Sequence, residues 1–226
     1  DPLCEKYYSV SPYAYCHNNP VNRIDPDGRD DYYSVGGQFL FRDSKKTDRI
    51  IIRDLVSYST KQQGWEFGPN PDTPIEQTVL SAEAYSKIFT NILSEMKDVD
   101  IYLLHNQSVS VVVSPNDYDI ESTFNDPYSA FSSEGVVNAA TQHLNGVKKI
   151  TACINYLGAS DNRKLFATLS NVQNLLGVHE YIGHGVKGWS GSNHKLVYKN
   201  QFKHPSWKRT TGYFKRQELS NYQKVK

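Results

Sequence analysis

The chain has 226 residues, with 25 Lys and Arg against 24 Asp and Glu, for a formal net charge of +1. A hydrophobic fraction of 38% with 12% aromatic residues is enough to build a core, so disordered and fibrous classes are excluded. No apolar run approaches the length of a membrane span, no basic-then-apolar leader opens the chain, and Cys4, Cys16 and Cys153 form neither a disulfide framework nor a Cys-ligated zinc pattern.

The near-neutral total conceals a division. Residues 1–186 carry 15 basic and 23 acidic side chains, whereas residues 187–226 carry 10 basic ones and a single acid, Glu218. Such asymmetry marks either a polyanion-binding surface or a basic tail packed on an acidic body.

Residues 1–29 are dense in Tyr, Asn, Pro and Asp and contain no apolar run long enough for a core. Turn signals fall at Asn18-Asn19-Pro20 and Asp27-Gly28. The units Asp1-Pro2 and Asp25-Pro26-Asp27-Gly28 bracket Pro12-Tyr13-Ala14-Tyr15-Cys16-His17-Asn18-Asn19-Pro20-Val21-Asn22. This order resembles the end of an RHS repeat-associated core, the junction before the variable C-terminal tip of bacterial polymorphic toxins. The resemblance implies a shell around the tip, a cognate immunity protein, delivery to target cells, and release of the tip by self-cleavage at the positions of Asp25 and Asp27. Arg29 departs from the hydrophobic residue usual after the glycine, and the shell repeats are absent from these residues.

Residues 30–226 are then expected to form the tip domain. Gln38 to Phe41 and Arg49 to Arg53 are β-prone runs that suggest an antiparallel pair, and Gln62 to Pro74, rich in Gly and Pro, reads as a loop. Ser81 is placed to cap a helix whose apolar residues Ala84, Tyr85, Ile88, Phe89, Ile92, Leu93 and Met96 recur every three to four positions. Val109 to Val113 reads as a strand and Asn116 to Ser133 as a surface loop. A second helix is expected around Glu134 to Leu144. Lys148 to Tyr156 alternates as a half-buried strand, with Ile150, Ala152, Ile154 and Tyr156 on the apolar face.

From Lys164 the pattern is helical, with the stripe Leu165, Leu169, Val172, Leu176 leading to His179. There the chain reads His179-Glu180-Tyr181-Ile182-Gly183-His184-Gly185, one residue longer than the zincin HExxH. Residues five apart on a regular α-helix diverge by about 140°. A π-type segment, or a helix end folded over at Gly183, would bring the two imidazoles together. This heptapeptide resembles the HExxxH variant of some metallopeptidases. It implies an α+β, zincin-like fold with a small mixed or antiparallel sheet and a long metal-bearing helix, Zn²⁺ as cofactor, and a protein or peptide substrate. In that reading His179 and His184 are ligands and Glu180 is the general base.

A catalytic zinc takes a third protein ligand. After the glycine-rich turn 188–192, Asn193 is placed to cap a helix carrying His194, Tyr198 and Gln201 on one face. His194 is the first choice and Glu218 the alternative. Tyr198, or Tyr181 beside the motif, is the candidate donor to an oxyanion. His143 and His105 are read as structural and His204, before Pro205, as a helix stop. Lys148 to Tyr156 is the candidate sheet edge for pairing with an extended peptide. Two other functions compete. A nuclease or nucleic-acid-binding tip would use Lys203, Lys208, Arg209, Lys215 and Arg216 with Trp207, Tyr213 and Phe214 interleaved. A non-catalytic interaction module would leave the metal site idle.

Overall fold

In a computed structural model of the chain, the residues described are 29–53, 55–59, 64–67, 72–104, 107–113, 138–154 and 162–225. Asp25, Asp27, His105, the loop 116–133 and Tyr156 lie outside them. The architecture is mixed α+β, built from small sheets and a buried central helix that packs against one of those sheets and against the helix following it.

The first sheet has the order β2-β1-β3-β6, built from β1 (Asp31–Ser34), β2 (Phe39–Arg42), β3 (Ile50–Arg53) and β6 (Thr73–Pro74). The two runs expected to form a hairpin are thus both strands, but they do not pair with each other. β1 lies between them, antiparallel to β2 and parallel to β3. The reason is burial: β1 is buried along its whole length and takes the centre. Arg42 clamps this sheet to the rest, donating to both oxygens of buried Asp31 and reaching Glu95 Oε2 at 2.8 Å. The expected Gly/Pro loop contains a strand, β5 (Gly64–Phe67), which pairs antiparallel with β4 (Leu55–Ser59).

Helix α1 (Ala82–Ser94) forms as its periodicity dictates. Ser81 accepts from Ala84 N, and Ala84, Tyr85, Ile88, Phe89, Ile92 and Leu93 are buried. Phe89, fully buried, stacks on Phe166 at 5.2 Å between ring centroids. Phe89→Ala should therefore cost about 3–5 kcal/mol, read as a lowered midpoint in urea unfolding with unchanged slope.

The second sheet has the order β7-β9-β8, from β7 (Ser110–Val112), β8 (Ala139–Leu144) and β9 (Val147–Cys153). Two expectations are corrected here. Residues 139–144 are a strand rather than the end of a helix, hairpinned onto β9 through Asn145 and Gly146, both with positive φ. β9 is the central strand, not an edge: β7 runs parallel on one side and β8 antiparallel on the other. Thr151 and Cys153, on its supposedly open face, are as buried as Ile150 and Ala152. Both are small enough to be covered on that side, so polarity alone misplaces the strand.

The central helix, α2, begins as α-helix over Leu169–Val172 and continues as π-helix over Gln173–Val186. Thr168 caps it by accepting from Asn171 N, and Asp48 accepts from Ser170 N at 3.0 Å. Three helices follow: α3 (His194–Lys203), α4 (Pro205–Arg209) and α5 (Gly212–Lys224). His204 separates the first two, its imidazole accepting from Ser206 N, as a helix-stop residue should. Among the described residues, no helix is long and apolar enough to cross a membrane.

Candidate metal centre

The π-helical winding decides the site. Its i→i+5 hydrogen bonding stacks residues five apart on one face, where an α-helix would separate them. Asn174, His179 and His184 therefore form one polar line along a largely buried helix. Each has a partner across the line on α3 or α4. Asn174 Nδ2 donates to the Gln201 carbonyl at 3.2 Å and to Ser206 Oγ at 2.8 Å. The His179 ring lies 5.2 Å from His184, and His184 lies 4.8 Å from His194, between centroids.

The close approach of α3 depends on a missing side chain. A Cβ at Gly183 would sit 2.5 Å from Val197 Cγ1, closer than real carbon atoms come. Gly183→Ala should push α3 outward and carry His194 with it. The expected result is a loss of about 1–3 kcal/mol in stability. A metal affinity about tenfold weaker or worse should accompany it, since 1.4 kcal/mol is a factor of ten. Val197→Ala in the same chain should restore both, as read by thermal unfolding and a metal competition titration.

His179, His184 and His194 each offer a ring nitrogen, and these atoms lie within 4.8 Å of one another. His179 Nε2 and His194 Nε2 are 3.2 Å apart. Two nitrogens bound at 2.0–2.1 Å to one tetrahedral metal are separated by roughly 3.3 Å, so this pair already stands at ligand spacing. Burial lowers the basicity of all three imidazoles: His179 well below its ordinary value, His184 below it, and His194 to about 4. Near neutral pH they are uncharged and carry lone pairs, as metal ligation requires. The residues fit a cation.

Glu180, wholly buried, is anchored to β8: Thr141 Oγ1 donates to its Oε2 at 2.9 Å. Burial raises its pKa to about 7, more than the Thr141 bond lowers it. Tyr198 packs edge-on against His179 at 4.7 Å and beside His194 at 5.1 Å. Burial, then the charges of Glu218 and Glu180, push its phenol far up, so it remains a hydrogen-bond donor.

Glu218 stands on the other side of His179. Its Oε2 is 4.0 Å from Nδ1, the nitrogen facing away from His194, and Gln201 lies between them. It is not in the three-histidine group. His143 Nε2 donates to the His184 carbonyl at 3.2 Å, a backbone contact at the end of β8. Asn193 occupies the position before α3, yet its side chain makes no capping bond.

Sequence reasoning missed Thr141 and Asn174. Thr141 fell in a segment read as helix. Asn174 had a signal: Asn174, His179 and His184 are polar residues at a strict spacing of five along one helix.

No family model, no curated protein and no solved structure matches the chain.

Proposed function

We propose that the protein is a zinc-dependent hydrolase acting on peptide bonds, the catalytic tip of an RHS-type toxin. One observation carries this reading: three buried or half-buried imidazoles converge within ligand distance of one another, and a buried carboxylate directly follows the first of them in sequence. Three nitrogen ligands with a position left for water is the composition of a catalytic zinc site, whereas structural sites close all four positions with protein. Bound zinc would supply a lowered water pKa and Lewis-acid polarisation of a carbonyl.

The remaining work falls to the chain's own side chains. Glu180, with a pKa near operating pH, takes a proton from water and returns it to the leaving amine. Thr141 holds one of its oxygens, which sets the direction of the other. Tyr198 donates to the oxyanion of the substrate carbonyl. The junction-like segment before residue 30, with Asp25 and Asp27, supports the toxin context, an immunity protein as partner and delivery to a target cell.

The aromatic residues of the nucleic-acid reading are partly or fully engaged in packing. Phe214 is fully buried, Trp207 and Tyr213 pack against the core, and Phe202 contacts Trp207 at 4.6 Å and Tyr222 at 5.6 Å. The basic side chains remain: no acid among the described residues lies within ion-pair distance of Lys199, Lys203, Lys208 or Arg216.

Metal analysis of protein purified without chelator, followed by zinc titration of the stripped protein, tests the centre. One equivalent per chain, lost in parallel with hydrolysis of a general protein substrate on chelation, is the expected result. A stripped protein that takes up no zinc at neutral pH would end the reading.

A further inference from the structure

The side chain of Gln201 is fully buried between His179 and Glu218. Its Nε2 donates to Glu218 Oε2 at 2.8 Å, and its Oε1 stands 3.0 Å from His179 Nδ1. These two contacts have a fixed direction. Ionised, a carboxylate only accepts, so the amide then turns its NH₂ toward Glu218. Its oxygen is then left facing His179, and because that oxygen also only accepts, Nδ1 must carry the proton. The lone pair of the neutral ring is thereby confined to Nε2, the atom 3.2 Å from His194 Nε2. Glu218 itself, at 4.0 Å from Nδ1, is too distant to bond the ring directly. Asn221 Nδ2 steadies its second oxygen at 3.4 Å.

We infer that Gln201 and Glu218 are positioning residues for the metal centre: a buried carboxylate sets an amide, and the amide sets the tautomer and ring orientation of His179. The inference rests on the metal-site reading above and gives Glu218 a role in place of ligation. It also accounts for the single acid of residues 187–226 being 2% exposed in the most basic part of the chain. A carboxylate placed there for solubility or ion pairing would face solvent.

The test compares wild type, Glu218→Gln, and the exchange of Gln201→Glu with Glu218→Gln. An amide at 218 can present either end to Gln201, so direction is lost. In the exchanged pair it returns, because a carboxylate at 201 accepts from His179 while an amide at 218 donates into it. Two quantities are read at pH 8. One is the tautomer of His179 in metal-free protein, from ring nitrogen chemical shifts. The other is zinc affinity, by competition with a chromophoric chelator. Wild type should show the Nδ1–H form alone. Glu218→Gln should show mixed tautomers and an affinity weaker by about 10–100-fold, and the exchanged pair should recover both. A merely structural role for Glu218 would leave the tautomer unmoved in every variant. An Nε2–H tautomer in wild type, or an exchanged pair that recovers neither quantity, would overturn the inference. Failure of wild type to bind zinc would instead remove the metal reading, while the tautomer alone still decides the relay.

Discussion

Replacing His194 by alanine is expected to leave a folded protein whose zinc affinity is about a hundredfold weaker. Structural zinc sites with four ligands gain about 10–16 kcal/mol, so one ligand accounts for roughly 3 kcal/mol, or about a hundredfold in affinity. The fold should tolerate the change, because His194 opens α3 at a half-buried position and contributes to none of the apolar core. The effect should depend on pH in a direction that follows from the site. Protons compete for the imidazoles only below their ordinary range, since burial lowers all three and takes His194 to about 4. Glu180 and Glu218 shift the other way, each to about 7. Their folded-state pKa lies above the unfolded one, so in metal-free protein the contribution of these two carboxyls is lost as pH rises from about 4.5 to about 7, whereas the three imidazoles, shifted down, contribute in the opposite direction below their ordinary value. A cation among them offsets that loss. Zinc should therefore raise the unfolding temperature more at pH 8 than at pH 5, and in His194→Ala the increment should nearly vanish. Equal increments at both pH values in wild type would contradict the arrangement of charges described above.

The second large effect concerns the base. Glu180→Gln should lower hydrolysis by about 10²–10⁴-fold while leaving zinc content near one per chain. The substitution keeps an acceptor for Thr141 Oγ1, so the hydrogen bond to β8 survives. It also removes a buried carboxyl whose pKa is raised by desolvation. In metal-free protein at pH 8, Glu180→Gln should consequently be more stable than wild type, whereas below about pH 4.5 the two should converge. Lower activity together with higher stability distinguishes a catalytic carboxylate from a structural one. Undiminished hydrolysis, or toxicity on expression equal to wild type, would remove Glu180 from the mechanism.

The legible parts of this molecule share a property. Where the pattern of a single element determines its burial, reading it along the chain succeeds: the apolar residues of α1 are the buried ones, and Ser81 is its cap. Where the partner of an element determines its role, reading it fails. The runs 39–42 and 50–53 are strands, but the short, fully buried β1 displaces the expected hairpin by inserting between them. Residues 139–144 alternate too weakly to announce a strand, and only pairing along β9 makes them one.

The candidate metal centre divides along the same line. The sequence by itself determined the donors, since His179, Glu180 and His184 on an apolar approach and His194 with Tyr198 and Gln201 on a second helix are matters of residue type and spacing. It left the angle between His179 and His184 open, because five residues span different arcs in α and π windings. Tertiary structure decided that angle, through contacts made by a second helix. Asn174, His179 and His184 each find a partner on α3 or α4 only when i→i+5 bonding stacks them, and Gly183 admits Val197 closely enough for those partners to reach. Tertiary structure alone also placed Glu218. One acid in a run of ten bases reads as a surface charge or a ligand, and it lies buried behind Gln201, outside the three-histidine group. Spacing along a chain encodes what a side chain can do, but what it faces depends on the element packed against it.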